Sequence, residues 1–114
     1  MGIKYHYERQ KHEYEVGEVI HNLNGNDYKV LEKYTDTELL LIAKRTGEFV
    51  VAIDCAEFSK APKDNPELVE IGTEWGHGVY LGNNPDNIDF AALRREYCPA
   101  EERVQDMELP DKKR

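Results

Sequence analysis

Apolar and polar residues alternate in short runs along the middle of the chain, and this period-two pattern predicts a series of β-strands. Residues 16–20 form the first run, which ends at a cluster, residues 24–27, rich in residue types that tolerate positive φ. The next run, residues 28–34, predicts a half-buried strand in which Tyr28 and Val30 share one face, although Leu31 breaks the alternation. The pattern therefore begins with a hairpin.

Two denser apolar runs follow, at residues 39–43 and 49–53. Every residue of the first run is apolar, which is typical of a central strand covered on both faces, and a short buried helix is the competing interpretation. The short length of this run, and the turn at residues 45–47 that leads into the β-branched second run, favour strands. Four consecutive strands in meander order are therefore expected.

A long connection and a fifth strand are predicted next. Residues 57–74 contain prolines, Asn65 and Gly72, so we expect them to cross the surface as a loop. Residues 75–81 predict the fifth strand, with Trp75, Val79 and Leu81 on one face.

One amphipathic helix is predicted near the C-terminal end. Residues 83–87 form a turn that supplies a capping residue, and apolar positions then recur at helical spacing at Phe90, Leu93 and Tyr97. Pro99 is expected to end this helix.

The chain has 114 residues, which is enough for one domain. We predict an α+β fold for residues 16–98: a small five-stranded antiparallel sheet, either an SH3-like barrel or a strongly bent sheet, with one C-terminal amphipathic helix. Residues 1–15 are expected to add an edge strand or to lie across the core, and residues 99–114 to form a charged tail or a second short helix. No run approaches the ~20 apolar residues that cross a bilayer, and no secretory signal is present, so a cytoplasmic location is expected.

The formal net charge is -8, and much of it comes from residues 54–89. This segment contains two cationic residues, Lys60 and Lys63, and eight carboxylates. The carboxylates belong to Asp54, Glu57, Asp64, Glu67, Glu70, Glu74, Asp86 and Asp89. Such a surface repels phosphate backbones and attracts basic proteins, so direct binding of DNA or RNA is disfavoured. Plain solvation of the surface is the alternative explanation for these charges.

Residues for catalysis or metal binding do not occur in recognisable arrangements. The histidines show none of the short spacings of metal sites, and the one serine, Ser59, lies in no nucleophile motif. Cys55 closes an apolar strand and Cys98 ends the helix, so neither is expected to act as a nucleophile or to form a disulfide. We therefore expect no catalytic residue, no metal and no cofactor. His77, between two glycines beside Trp75, leaves a small enzyme as an alternative.

The order of these segments suggests a resemblance. The runs Gly17-Glu18-Val19-Ile20, Tyr28-Lys29-Val30-Leu31, Leu39-Leu40-Leu41 and Phe49-Val50-Val51-Ala52 resemble the meander of SH3-like barrels. The run Trp75-Gly76-His77-Gly78-Val79-Tyr80, followed by a helix, is similar to small accessory proteins of bacterial mobile elements. Some of those proteins are anti-CRISPR inhibitors, which are short, non-enzymatic and often acidic. The resemblance therefore implies an inhibitor.

These observations lead to one principal hypothesis and one further alternative. The principal hypothesis is a non-catalytic acidic module that binds a basic, nucleic-acid-handling protein by mimicking nucleic acid. Its predicted binding residues are Asp64, Glu67, Glu70, Glu74, Trp75 and His77. The alternative is a barrel that binds a peptide or a nucleic acid through exposed aromatic rings, unless those rings only cap a thin core. Its candidate rings are Tyr5, Tyr7, Tyr14, Tyr34 and Trp75.

Overall fold

Six antiparallel strands and one short helix make up the fold in the computed structural model, which describes residues 2–98. The strands are β1 (Tyr5–Gln10), β2 (Val19–His21), β3 (Asp27–Lys33), β4 (Leu39–Ala43), β5 (Phe49–Pro62) and β6 (Glu70–Gly82). A 3₁₀ turn (Pro85–Asn87) leads into the helix α1 (Phe90–Tyr97). The predicted tail, residues 99–114, lies outside the described residues. No helix in the described part of the chain is long and apolar enough to span a membrane.

The strands form one sheet with the order β1-β5-β4-β3-β2, and β6 pairs along the other edge of β5. The sheet curls into a half-barrel, so that Asn22, just after β2, forms a parallel bridge to Thr73 in β6. The backbone N–H of Leu23 donates to the Thr73 carbonyl across the same seam, at 3.2 Å. Residues 16–98 contain five strands, as predicted, and the N-terminal segment adds β1 as an edge strand, one of its two predicted placements. The antiparallel α+β architecture with one helix is confirmed.

The interior of the half-barrel contains the larger of two apolar clusters. Its buried members are Tyr14, Ile20, Val30, Leu39, Leu41, Val50, Ala52 and Cys55. Leu40 and Val51, between these positions on β4 and β5, belong to a second cluster on the outer face of the sheet. Strand β4 is therefore covered on both sides, as its uninterrupted apolar sequence predicted.

Helix α1 covers the outer face. Its residues Phe90, Leu93 and Tyr97 pack against the second cluster, which confirms the predicted amphipathic helix. The Asp89 carboxylate caps the helix by accepting from the Ala92 backbone N–H at 3.0 Å. Leu31, which breaks the alternation in β3, also belongs to the outer cluster and lies at a shift in the β3–β4 register.

The predicted loop at residues 57–74 was wrong, because most of this segment is strand. Strands β5 and β6 continue as a hairpin beyond the half-barrel, and the true turn covers only residues 63–69. Strand β1 pairs with the outer half of β5 from Tyr5↔Pro62 to Gln10↔Glu57. Residues 4–10 and 57–73 thus form a three-stranded ribbon, here called the arm, in a molecule that measures 63 × 29 × 24 Å.

The face assigned to Trp75 was also wrong. Trp75 packs against the inner cluster, whereas Val79 and Leu81 of the same strand pack against the outer one. The alternation slips next to Asp54, which has φ 59°, a left-handed conformation that Asp tolerates better than most residues. Ala52 and Cys55, three positions apart on β5, consequently both lie inside. Trp75 pairs with Cys55 and follows it to the inner side.

Candidate functional site

The structure separates the six predicted binding residues into two groups. Asp64 and Glu67 lie exposed in the turn at the end of the arm, and Glu70 begins β6 beside it. Glu74, Trp75 and His77 lie further along β6, where they line a groove on the half-barrel. At a rise of about 3.3 Å per residue, Glu70 and Glu74 are about 13 Å apart. The carboxylates therefore do not form one compact cluster.

Many of the clustered charges in the sequence have partners in the fold. The Arg9 guanidinium lies 3.5 Å from Asp54, the Lys60 ammonium lies 3.4 Å from Glu70, and the imidazole of His12 lies 3.9 Å from Glu57. The arm contains five Asp or Glu residues and four Lys or Arg residues, so it is nearly neutral. Most of the excess negative charge consequently belongs to the half-barrel.

The groove beside Trp75 is a candidate site because it holds three of the six predicted binding residues, Glu74, Trp75 and His77. It has a volume of about 480 Å³ and is bounded by β6 and by the β2–β3 turn. Its lining residues are Asn22, Asn24, Asn26, Tyr28, Glu74, Trp75, Gly76, His77, Gly78 and Tyr80. We call it the aromatic groove. The Asn22 side chain accepts from the Asn24 backbone N–H at 2.7 Å, which fixes the turn that forms one wall.

Three aromatic rings converge in this groove. The rings of Tyr28 and Trp75 meet edge to face, with centroids 5.1 Å apart and planes at 88°. A Cβ on Gly78 would lie 3.0 Å from the Trp75 Nε1 atom and 3.1 Å from the Tyr80 Cζ atom, so glycine leaves room for both rings. Trp75 rests on the core with its other side, and Tyr80 is 61% exposed. The Trp75 ring, held by the core, and the exposed Tyr80 ring therefore line the same groove.

The electrostatics of the groove favour positive charge. Burial raises the pKa of Tyr28, and the nearby Tyr80 and Glu48 side chains, in their ionised forms, raise it further. Of these two neighbours, Glu48 is the one that carries a negative charge at neutral pH. Glu74 contributes a carboxylate to the lining itself. None of the described residues that line the groove is a lysine or arginine. The groove thus combines three aromatic rings with asparagine side chains and a carboxylate, and its described lining residues include no lysine or arginine.

The aromatic rings elsewhere differ from those in the groove. Tyr14 and Tyr34 are each 2% exposed, so these two candidates belong to the core and not to a binding surface. On the arm, the Lys60 ammonium lies 4.9 Å from the Tyr5 ring centroid, and the Arg9 guanidinium lies 5.8 Å from that of Phe58. These rings already carry a cation of the same chain.

His77 is exposed at the rim of the aromatic groove. No hydrogen bond or ion pair joins its side chain to another residue in the part of the chain that the structure describes. Residues 2–98 also contain no group of three or more His, Cys, Asp or Glu side chains that could hold a metal ion.

Sequence reasoning found Glu74, Trp75 and His77 in this groove but missed Tyr28, Tyr80 and the asparagines. Tyr28 was predicted to share a face with Val30, and both lie on the inner side, but nothing local in the sequence indicates that Tyr28 meets Trp75. The one signal in the sequence was Gly78, because a glycine between Trp75 and Tyr80 leaves space for two large rings to approach each other. Comparisons with protein-family models, with curated proteins and with solved structures find no match to this chain.

Proposed function

We propose that this chain is a non-catalytic module that binds a basic protein, and that the aromatic groove receives a cationic side chain of that partner. The observation that carries the proposal is the convergence of Tyr28, Trp75 and Tyr80 beside Glu74, without a lysine or arginine among the described lining residues. A cation over an aromatic face is stabilised by about 0.5–2 kcal/mol, and a nearby carboxylate adds Coulomb attraction.

The chemistry of the groove favours a cationic protein group over a nucleic acid. A phosphate would meet Glu74 and the negative half-barrel, and the groove offers no lysine or arginine from the described residues to neutralise it. A lysine or arginine side chain brings the opposite charge and an apolar stem that packs on the rings. The net charge of -8 would also speed the approach of a basic partner.

The first test is direct titration with small cations. The probes are acetylated, amidated single residues: lysine, trimethyllysine, arginine, and the uncharged isostere in which carbon replaces the quaternary nitrogen. Trp75 is the only tryptophan of the chain, so its fluorescence reports the groove without labelling. We expect at least one cation to shift this fluorescence saturably and the isostere to bind more weakly, since the isostere keeps the shape and loses the charge. Equal binding of the isostere would contradict the proposal.

Two exposed tyrosines provide matched variants for this titration. Tyr80→Ala removes a ring of the groove, and we expect it to weaken cation binding about two- to fivefold, the equivalent of about 0.5–1 kcal/mol. Tyr7→Ala removes a ring that is 49% exposed on the arm, and it should leave the affinity unchanged. Equal losses in both variants would show that the binding does not depend on the groove.

A narrower form of the proposal makes the chain an inhibitor of a nucleic-acid-handling protein, as the resemblance to anti-CRISPR proteins implies. It is supported by the overall negative charge and by the exposed carboxylates of Asp64 and Glu67. An SH3-like barrel is proposed as the finer description of the fold, supported by the β2–β6 meander and its closure at Asn22 and Thr73.

Neutralising carboxylates tests this narrower form, with an arginine-rich peptide as the probe. The triple variant Glu67→Gln, Glu70→Gln, Glu74→Gln should weaken binding at least tenfold at low salt, because several Coulomb contacts are lost together. The control Glu13→Gln, Asp36→Asn, Glu96→Gln removes the same total charge from other surfaces and should weaken binding much less. If the two variants weaken binding equally, the attraction depends on net charge alone. That result would contradict the proposal that Glu67, Glu70 and Glu74 mimic a nucleic acid.

A further inference from the structure

Strand β1 leaves one edge without a partner strand in the described part of the chain. The Lys63 N–H donates to the Lys4 carbonyl at 2.9 Å, so Lys4 is a position whose peptide groups face β5. In an antiparallel ladder these positions alternate, so His6, Glu8 and Gln10 also face β5. The peptide groups of Tyr5, Tyr7 and Arg9 therefore point away from β5, toward the open edge.

The arm is also the most apolar exposed part of the molecule. Among residues 2–98, nine large apolar residues are exposed, and six of them lie on the arm or directly beside it: Ile3, Tyr5, Tyr7, Leu68, Val69 and Ile71. No helix in the described part of the chain packs on this ribbon of three strands, and the two apolar clusters lie in and on the half-barrel. An open strand edge next to exposed apolar residues is a site at which another chain can add its own strand.

In one antiparallel register, β1 can pair with β1 of a second copy without placing like charges opposite each other. Directly opposite residues of an antiparallel pair share a face, so two-fold symmetry must place one residue of β1 opposite its own copy. The two registers that keep most of the strand paired are centred on Tyr7 and on Glu8. Centring on Glu8 places two carboxylates opposite each other, which is destabilising. Centring on Tyr7 places no like charges opposite each other within the strand.

We propose that β1 pairs with β1 of a second copy of this chain, antiparallel, with Tyr7 opposite the Tyr7 of that copy. In this register His6 meets Glu8 of the copy, and its imidazole N–H can donate to that carboxylate. Tyr5 meets Arg9, whose guanidinium already lies against an aromatic ring, that of Phe58, within its own arm. Each contact occurs twice by symmetry, and the two arms join into one continuous sheet.

The charge distribution supports this arrangement. Strand β1 runs from the end of the arm at Tyr5 toward the half-barrel at Gln10. Antiparallel pairing therefore brings the half-barrel of one copy beside the arm end of the other and keeps the two half-barrels apart. The negative charge lies mainly on the half-barrels, whereas the paired arms are nearly neutral. Electrostatic repulsion between the copies is consequently lowest where their backbones meet.

Sedimentation equilibrium of the full chain over a wide concentration range tests the proposal, and we expect a monomer–dimer equilibrium. Tyr7→Pro removes an N–H that points to the open edge and leaves the hydrogen bonds to β5 in place, so it should abolish the dimer. Tyr7→Thr keeps that N–H and should retain a weaker dimer. A chain that stays monomeric at every concentration, or a Tyr7→Pro variant that dimerises like the parent, overturns the proposal.

A charge exchange tests the register itself. His6→Asp places two like-charged pairs in the interface and should weaken the dimer several-fold. Adding Glu8→Lys to His6→Asp restores opposite charges in this register, so the double variant should recover the parent affinity. If the double variant does not recover the dimer affinity of the parent, the Tyr7-centred register is excluded. The proposal does not depend on the function of the aromatic groove, because the fluorescence titration and the sedimentation experiment measure different surfaces.

Discussion

The free energy of unfolding is expected to fall by about 4 kcal/mol per pH unit above pH 10, because three buried groups keep their protons in the folded protein. Burial raises the pKa of Tyr14 and Tyr34 well above their ordinary value, and it raises that of Cys55 to about 12. All three side chains are at most 2% exposed. In the unfolded chain they titrate near their ordinary values, 10.0 for Tyr and 9.0 for Cys.

The sign follows from which state binds more protons. Between pH 10 and 12 the folded state keeps three protons that the unfolded chain has lost, so raising the pH favours unfolding. The stabilisation is fully present below pH 9, is lost progressively while only the unfolded chain has ionised, and stops declining once the folded groups ionise as well. Denaturant titrations at a series of pH values, followed by circular dichroism, measure this slope.

Phenylalanine variants provide the control. Tyr14→Phe and Tyr34→Phe each remove one of the three protons, so each should reduce the slope by about 1.4 kcal/mol per pH unit. Neither hydroxyl has a hydrogen-bond partner among the residues that the structure describes, so both variants should stay within about 1 kcal/mol of the parent at neutral pH. A slope that both variants leave unchanged would mean that alkaline unfolding has another cause.

A methyl group at Gly72 is expected to destabilise the protein by about 1–3 kcal/mol, because it would enter the seam that closes the half-barrel. A Cβ at this position would lie 2.8 Å from the Leu23 Cδ2 atom and 2.9 Å from the His21 carbonyl oxygen. The carbonyl belongs to the backbone of β2 and cannot turn aside, so β2 and β6 must separate in Gly72→Ala. Thermal and denaturant unfolding measure the loss.

Gly76→Ala is the matched control on the same strand. The nearest atom to a Cβ there would be Asp54 Oδ2, at 3.3 Å, which lies at the end of an exposed side chain that can move. We therefore expect a change of less than about 0.5 kcal/mol. If both alanine variants lose stability equally, the cause is the loss of glycine from β6 and not the seam.

These expectations connect the fold to the two proposed interactions. The seam at Gly72 lies at the base of the arm, and the aromatic groove begins two residues further along β6 at Glu74. Opening the seam in Gly72→Ala should consequently weaken cation binding in the fluorescence titration as well as stability. Tyr80→Ala should weaken binding alone, because its ring is largely exposed and contributes little to the core.

The sequence by itself determined the parts of the fold that depend on local pattern. The uninterrupted apolar run of β4 required cover on both faces, and the structure supplies it through Leu41 on the inner side and Leu40 on the outer. The spacing of Phe90, Leu93 and Tyr97 placed the helix correctly, because residues three, four and seven positions apart lie on the same face of a helix. Both features arise among neighbours in the chain.

Only the tertiary structure decided the arm and the aromatic groove. Residues 57–62 have little apolar alternation, and they become strand because β1, distant in sequence, pairs with them. Trp75 faces inward because the backbone at Asp54 shifts the alternation, and it meets Tyr28 because the sheet curls. Long-range pairing, register slips and curvature depend on which strands meet, and a period-two pattern holds no information about that choice.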